Sequence, residues 1–307
     1  MEIEKIEPVF ENLKNKGIKC RYDFLIELYA LLKLNGAKIL LSELNALSGY
    51  SLRFVYSTDG FHLHNKSISY IAENLKTFLG LELVSVSNND FGDPPFIVYP
   101  ENLLIFDIKE DKASFYRNVF YEEDNIRSVL KNSAVVFKVK QMLPFDRKLL
   151  YNKEKFANFA DLMEKEFFKE YAEVGGETVP SGKNAYERFI NDLRDQSVSF
   201  VNENAPEEVP FFSLYPQWTA INGTLAYLLG VHHFLNKKAQ KEMQNAVRHF
   251  EDALLFWREW ERAIGSPLSP MSVVPMKNRR RAANAVEKAK GAYMLGVLSV
   301  SQVKKLM

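Results

Sequence analysis

The first eighty residues of the chain show the spacing of apolar positions that is typical of helices. Tyr22 to Leu34 is apolar on nearly every side, which predicts a helix buried inside a domain and ended by Asn35-Gly36. LLSELNALSG predicts a second, shorter helix, with Ser42 as its N-cap and Gly49 after its end. SLRFVYS is a possible strand, and SISYIAENLKTFLG predicts an amphipathic helix that ends at Gly80.

The pattern changes between about residues 81 and 143, where β-type spacing dominates. LELVSVS alternates apolar and polar residues, as a half-buried strand does. PPFIVYP and NLLIFDI are β-rich runs separated by Pro100-Glu101, and together they predict a hairpin. YEEDNIRSVLKNS predicts a helix with acids in its first turn, and AVVFKVKQM predicts another strand.

From residue 148 onward the pattern is helical again. EKFANFADLMEKEFFKEYAEVGG predicts a helix ended by a glycine pair, and a turn-rich linker over 174–183 leads to a helix in KNAYERFINDLRDQ. Three long helices are predicted over roughly 217–236, 238–264 and 278–296. The chain is therefore predicted to be α+β, with a helix-and-sheet domain over 1–147 and a helical region over 148–307.

Composition and charge limit the functional classes. Among 307 residues, 40 Lys and Arg face 39 Asp and Glu, which disfavours a dedicated nucleic-acid or membrane-surface protein. The N-terminus lacks an apolar signal region and no run is long and apolar enough to span a membrane, so a cytoplasmic location is expected. The single cysteine, Cys20, forms no internal disulfide and no thiolate metal cluster.

Cys20 is the strongest candidate for chemistry because it lies just before the predicted buried helix. The positive end of the helix dipole and the adjacent Lys19 and Arg21 favour the thiolate, which is the attacking form in nucleophilic acyl chemistry. The alternative is that Cys20 is a small buried residue that fills space in the core.

A cysteine nucleophile usually needs a base within hydrogen-bonding reach, and the chain has five histidines. His62 and His64 share a face if GFHLHN is extended, although a surface pair is the alternative. His232 and His233 fall in a predicted helix, where a core or interface position is expected, and His249 falls on a charged helix. Zincin, phosphate-loop and serine-elbow motifs are missing from the sequence, so no metal and no cofactor is expected.

The densest basic run is Arg279-Arg280-Arg281, which follows Lys277. Such a run is expected to form a solvated face near a helix start, and the alternative is a site for a phosphate or an acidic partner. The neighbouring aromatic residues, among them Phe250 and Trp257, have helical spacing and are expected in the core.

The stretch KCRYDFLIELYALLKLNGAKILLSELNALSGYSLRFVYS resembles the opening of a group of bacterial papain-like proteins that includes the acyltransferase of butirosin biosynthesis. NIRSVLKNSAVVFKV and GKNAYERFINDLRD are similar to later elements of the group. The elements that carry the resemblance are Cys20, the helix Tyr22–Leu34, Asn35-Gly36, Ser42-Glu43-Leu44, Leu47-Ser48-Gly49 and Arg53-Phe54.

The resemblance implies a papain-like domain, in which a buried nucleophile helix packs on an antiparallel sheet, and a helical C-terminal region. It also implies that Cys20 accepts an acyl group from a thioester or amide and passes it to an amine or water, in natural-product biosynthesis. The expected donor is a small molecule or an acyl-carrier-protein thioester.

The general base would be His62 or His64. Substrate-binding residues are expected in the segment LSGYSLRFVYS, with an anionic group such as a carrier phosphate bound by its arginine; they are Ser48, Gly49, Arg53 and Tyr56.

One departure from the group leaves a second hypothesis open. The histidine of the group normally lies on a strand after the sheet begins, whereas this chain has no histidine between His64 and His232. A papain-like scaffold that has lost catalysis and binds a ligand or partner is therefore the alternative. A helix-turn-helix regulator is a third hypothesis, which the near-neutral charge balance disfavours.

Overall fold

The chain contains both helices and strands and divides into two compact units. Its C-terminal region is mainly helical. The structure is a computed structural model that describes residues 7–8, 10–11, 23–49, 52, 54–57, 60–61, 68–86, 93–99, 103–117, 120–131, 135–139, 147–174, 177–198, 200, 215–265 and 274–307. The first unit comprises Met1–Leu44 and Ala72–Leu150, and the second comprises Asn45–Ile71 and Tyr151–Met307. Residues 45–71 thus group with the C-terminal helices, whereas the sequence pattern assigned them to the N-terminal domain.

The secondary structure follows the predicted order in outline. The helices are α1 (Asp23–Leu34), α2 (Leu41–Leu47), α3 (Ile68–Leu79), α4 (Ile126–Leu130), α5 (Lys153–Phe168), α6 (Gly182–Arg194), α7 (Tyr215–Val231), α8 (Lys237–Ile264) and α9 (Met276–Leu306). The strands are β1 (Tyr56–Ser57), β2 (Gly60–Phe61), β3 (Leu83–Val86), β4 (Phe96–Tyr99), β5 (Leu103–Lys109), β6 (Lys112–Arg117), β7 (Phe120–Asn125), β8 (Val135–Val139), β9 (Tyr171–Val174) and β10 (Glu177–Pro180).

The first unit contains a six-stranded antiparallel sheet in the order β3-β8-β4-β5-β6-β7. The predicted hairpin of PPFIVYP and NLLIFDI is confirmed, because Phe96 pairs with Ile105. Helix α1 packs on β4, β5 and β6. Residues from Leu103 to Phe106 are buried in succession, which explains why β5 has an unbroken apolar run.

The core of the first unit is mainly aliphatic. Apolar side chains of the sheet and of α4 meet in one cluster, with half-buried apolar residues packed against it. The buried members are Phe96, Val98, Leu103, Ile105, Ala113, Phe115, Ile126, Val129 and Val136.

Strand β7 corrects the sequence prediction, which placed YEEDN in a helix. The acids pair across to the neighbouring strand, Glu122 with Arg117 at 3.5 Å and Glu123 with Lys112. The helix itself starts only at Ile126, where Asn125 accepts a hydrogen bond from the backbone N–H of Arg127. Charges along an edge strand discourage pairing with another chain, so the acidic run protects this edge of the sheet.

The second unit is built around the antiparallel helices α8 and α9. Lys288 of α9 pairs with Glu259 of α8 at 3.7 Å, and Arg194 of α6 pairs with Glu287 of α9 at 2.6 Å. A β-carbon at Gly296 would lie 2.8 Å from the ring of Phe250, so this glycine lets the two long helices approach closely.

Three boundaries in the second unit differ from the prediction. Helix α5 ends at Phe168, and the segment predicted as linker pairs as the hairpin β9–β10. Helix α7 ends at Val231 and is followed by a short 3-10 helix, His232–Phe234. Helix α9 continues to Leu306, well beyond the predicted end.

Candidate functional site

The predicted catalytic residues Cys20, His62 and His64, and the predicted anion-binding Arg53, lie outside the described residues. The structure does describe the helix that follows the cysteine in the chain. Helix α1 begins at Asp23, and most of its side chains from Leu25 to Leu32 are buried, as predicted. The structure therefore informs on the candidate site through the described elements that adjoin these residues in the sequence, namely α1, α2 and segment 54–57.

Two buried carboxylates accompany α1 in the first unit, and sequence reasoning gave them no role. Glu27 of α1 and Glu43 of α2 are both fully buried, although Glu is rarely buried without a partner. Glu43 accepts a hydrogen bond of 2.8 Å from the backbone N–H of Leu40, which is half of a capping box. The predicted N-cap Ser42 instead lies inside the helix. Burial, and then the charge of Glu43, raises the pKa of Tyr29.

Ser48 and Gly49, predicted to bind substrate, terminate α2. The Ser48 hydroxyl donates to the backbone oxygen of Asn45 at 3.1 Å, and the side chain is fully buried. Gly49 has a φ of 68° and donates its backbone N–H to Ala46, which is the left-handed ending that favours glycine. The structure therefore shows both residues in a helix-ending role.

Tyr56, the remaining described member of the predicted substrate set, is fully buried. Its hydroxyl donates to Asp192 Oδ2 at 2.9 Å, and Arg188 Nε lies 3.0 Å from the other carboxylate oxygen. Burial, and then the charge of Asp192, raises the pKa of Tyr56, so the phenol stays protonated as a hydrogen-bond donor.

The chain around Tyr56 is held on α6 by backbone contacts as well. The N–H of Gly182 donates to the carbonyl of Phe54 at 2.7 Å, and Val55 forms a β-bridge with Ser181. The ring of Phe54 packs on that of Tyr186, with centroids 4.2 Å apart. The segment 54–57 therefore belongs structurally to α6, about 130 residues away along the chain.

Gly182 lies at the point where the end of α5, the start of α6 and segment 54–57 meet. Its φ is +53°, and a β-carbon here would lie 2.3 Å from the backbone oxygen of Phe167 and 2.7 Å from that of Glu166. Both contacts are with backbone, so neither neighbour can rotate away. The motif GKNAYERFINDLRD thus starts with a glycine because the end of α5 passes directly against it.

The basic run divides into one buried and two exposed residues. Arg279 is 7% exposed and donates to the backbone oxygens of Asp192 and Asp195 at 2.6 and 2.7 Å, while its guanidinium lies over the ring of Phe200. Arg279 therefore binds the carbonyls at the end of α6, and burial lowers its pKa. Arg280 and Arg281 are exposed, as expected for a solvated face.

The described histidines lie in the second unit. His233 is exposed, and its Nδ1 is 2.9 Å from the carbonyl of Gly230. His232 and His249 are half-buried. Within the ranges that the structure describes, His, Cys, Asp and Glu form no cluster of three or more that could hold a metal ion.

No family model and no curated protein matches the chain. Among the described helices, none is both long enough and apolar enough to cross a membrane.

Proposed function

We propose that the chain is a papain-like cysteine acyltransferase or amide synthase, in which Cys20 carries the acyl group. The observation that supports this most is the packing of α1, the helix that follows Cys20 in the sequence, on antiparallel strands β4, β5 and β6. A buried helix on an antiparallel sheet is the arrangement that the resemblance to papain-like acyltransferases implies. The positive end of a helix favours a thiolate placed beside it, and α1 begins three residues after Cys20 in the chain.

The proposed reaction has two acyl-transfer steps. The Cys20 thiolate attacks the carbonyl carbon of a thioester or amide, and the tetrahedral intermediate expels the donor thiol or amine, which takes its proton from the imidazolium of His62 or His64. An amine or water then attacks the Cys20 thioester and releases the thiolate, while His62 or His64 accepts the proton of the nucleophile. Backbone N–H groups at the start of the nucleophile helix stabilise the oxyanion of both intermediates.

The proposed donor carries an anionic group, such as the phosphate of a carrier's pantetheine arm. Arg53 binds this group through charge-assisted hydrogen bonds, for which a guanidinium fork is well suited. The pantetheine arm belongs to the substrate, so the scheme uses no cofactor. Natural-product biosynthesis in the cytoplasm is the proposed setting.

Acyl loading tests this proposal directly. Wild-type protein incubated with a short acyl-phosphopantetheine thioester should gain the mass of one acyl group, and neutral hydroxylamine should remove it. Cys20→Ser should gain nothing while keeping the wild-type circular dichroism spectrum. Equal loading of wild type and Cys20→Ser, or no loading of either, would refute a Cys20 thioester.

The second candidate is a papain-like scaffold that binds a ligand without catalysis. The sequence observation in its favour is the lack of a histidine between His64 and His232, where the group has its general base. His62→Ala and His64→Ala separate the two candidates. Loss of acyl transfer in one of them supports the enzyme, whereas donor binding without transfer in the wild-type protein supports the scaffold.

A further inference from the structure

The solvent side of α8 begins with a row of basic and amide side chains, which we call the α8 stripe. All of its members are exposed, and they share one side of the helix by their spacing; they are Lys237, Lys238, Lys241, Gln244, Asn245 and Arg248. The opposite side of the same turns is buried through Ala239, Met243 and Ala246. The stripe is about 16 Å long, since a helix rises about 1.5 Å per residue.

The four cations of the stripe have no ion-pair partner within the described part of the chain. Other lysines of the second unit face acids, as Lys288 does with Glu259 at 3.7 Å. The acid within the turns of the stripe, Glu242, is half-buried and accepts a hydrogen bond of 3.0 Å from Asn245. The stripe is therefore a positive surface that the described residues do not neutralise.

The stability of α8 does not account for the lysines at its start. The N-terminal end of a helix is the positive end of its dipole, where acidic side chains are favoured and cations are not. Helix α8 has no acid in its first turn, whereas α5 has Glu154 there. Lys237 and Lys238 are thus unfavourable for α8 alone, and an acidic partner would offset their effect.

An exposed apolar side chain lies at the same end of the unit. Helix α7 packs on α8 and leads into it through the short 3-10 helix. Leu229, in the last turn of α7, is 65% exposed, and it continues a half-buried side formed by Leu225 and Ala226. No residue of α7 is charged. The surface thus combines a basic part on α8 with an apolar part on α7.

We propose that the α8 stripe and Leu229 form a docking surface for an acidic helix of a partner protein. Carboxylates on one side of a three-turn helix pair with the cations of the stripe, and an apolar side chain beside them covers Leu229. A nucleic acid would leave Leu229 uncovered, and an anionic membrane needs a wider apolar face than the stripe offers. The inference is independent of the proposed function, because none of these residues takes part in acyl transfer.

Two double variants with the same change of charge test the surface in the full chain. Lys237→Glu/Lys238→Glu reverses two charges of the stripe, and Lys277→Glu/Arg280→Glu reverses two exposed charges at the start of α9. Both place acids at the positive end of a helix, so both should raise the urea midpoint of unfolding. A lower midpoint for the α8 variant would show that its lysines serve the fold, and would overturn the inference.

Binding is measured by fluorescence anisotropy at low ionic strength, with a labelled helical peptide of about twelve residues that has glutamates on one side and leucines beside them. Wild type should bind the peptide, and Lys237→Glu/Lys238→Glu should bind it about tenfold more weakly. The α9 variant should match wild type. Lack of binding by wild type, or equal weakening in both variants, would contradict a docking surface on α8.

Leu229→Gln tests the apolar part, with Leu295→Gln as its control because Leu295 is 46% exposed on α9. Leu229→Gln should weaken binding of the peptide about fivefold and leave binding of oligoglutamate unchanged, whereas the control should change neither. Wild-type binding of the peptide by Leu229→Gln would remove Leu229 from the surface. Tighter binding of duplex DNA or of phosphatidylglycerol vesicles than of the peptide would rule out the acidic helix as the partner.

Discussion

Each of the two units is stabilised internally by a different kind of contact. In the first unit, strands β4, β5, β6 and β7 pair in chain order and so join neighbours in the sequence, whereas β8 pairs with β3 and β4 across longer separations. In the second unit, the decisive contacts join distant residues, such as Tyr56 and Asp192, which lie 136 positions apart. Local pattern is therefore a good guide to the β4–β5 hairpin of the first unit and a poor guide to the long-range contacts of the second.

The cores of the two units also differ in the kind of side chain that fills them. Aliphatic side chains such as Val98, Ile105 and Val136 fill the first core. The second core relies on aromatic pairs, with Tyr186 packed on Phe54 at 4.2 Å and next to Trp257 at 6.0 Å. Because large rings fit only when the backbones that carry them are fixed, we expect the second unit to be the more sensitive to changes at its joints.

The largest effect is expected at Gly182, the joint between α5, α6 and segment 54–57. Gly182→Ala should lower the free energy of unfolding by about 4 kcal/mol, since the β-carbon meets two backbone oxygens at a positive φ. Gly291→Ala is the control, because nothing lies within 4 Å of a β-carbon there, and it should stabilise the helix by about 0.5–1 kcal/mol. Urea unfolding measures both, and a loss below about 1 kcal/mol for Gly182→Ala would argue against the joint.

The next largest effect is expected at Arg279, and the neighbouring Arg280 and Arg281 serve as controls. Arg279→Gln should cost about 3 kcal/mol, because it removes a buried guanidinium from the carbonyls of Asp192 and Asp195. Arg280→Gln and Arg281→Gln should each change stability by less than about 0.5 kcal/mol, since both side chains are exposed. Equal costs at all three positions, measured by urea unfolding, would show that Arg279 does not hold the end of α6.

Alkaline pH should weaken the second unit through its buried tyrosines. Burial raises the pKa of these groups above the usual value of about 10, so the folded protein keeps protons that the unfolded chain releases. Their contribution is fully present below pH 10 and is lost above it, at about 1.4 kcal/mol per pH unit for each tyrosine. The tyrosines concerned are Tyr56, Tyr186, Tyr227 and Tyr293.

Tyr56→Phe isolates one of these groups. Above pH 10, the free energy of unfolding of this variant should fall less steeply with pH than that of wild type. The difference in slope should be about 1.4 kcal/mol per pH unit, which is the contribution of one tyrosine. Identical slopes in the two proteins would mean that the Tyr56 phenol is not held protonated by the fold.

The smallest effects are expected at helix caps, which are local in both units. Asn125 caps α4 in the first unit and Asn152 caps α5 in the second, each by accepting a backbone N–H near 3 Å. Asn→Ala at either position should cost about 1 kcal/mol, and Asn→Ser should restore most of it. A much larger cost at Asn152 than at Asn125 would mean that this cap also supports the distant contacts of the second unit.

Features that depend on neighbouring residues were predictable from the sequence. Helix α1 and the end of α3 follow the prediction, and both terminate at glycines with positive φ, Gly36 and Gly80. Strand β7 was missed because its acids suit the first turn of a helix, and only pairing with Lys112 and Arg117 makes them favourable in a strand.

The candidate site was less predictable than the fold. The sequence pattern assigns Tyr56 to substrate binding, yet its partner Asp192 lies on helix α6 and the pairing has no signature in the local sequence. The burial of Arg279 between two exposed neighbours has the same cause, because the carbonyls it binds belong to α6. Only the positive φ of Gly182 had a visible signal, a glycine at the start of a strongly helical motif.

The central proposal is that Cys20 is an activated nucleophile, and the pH dependence of its alkylation by iodoacetamide tests this most directly. With one cysteine in the chain, every adduct reports on this thiol. An activated Cys20 should be labelled rapidly in the folded protein, with a thiolate pKa well below the usual value of about 8.5. Labelling that begins only when the protein is unfolded would contradict it and leave Cys20 as a packing residue.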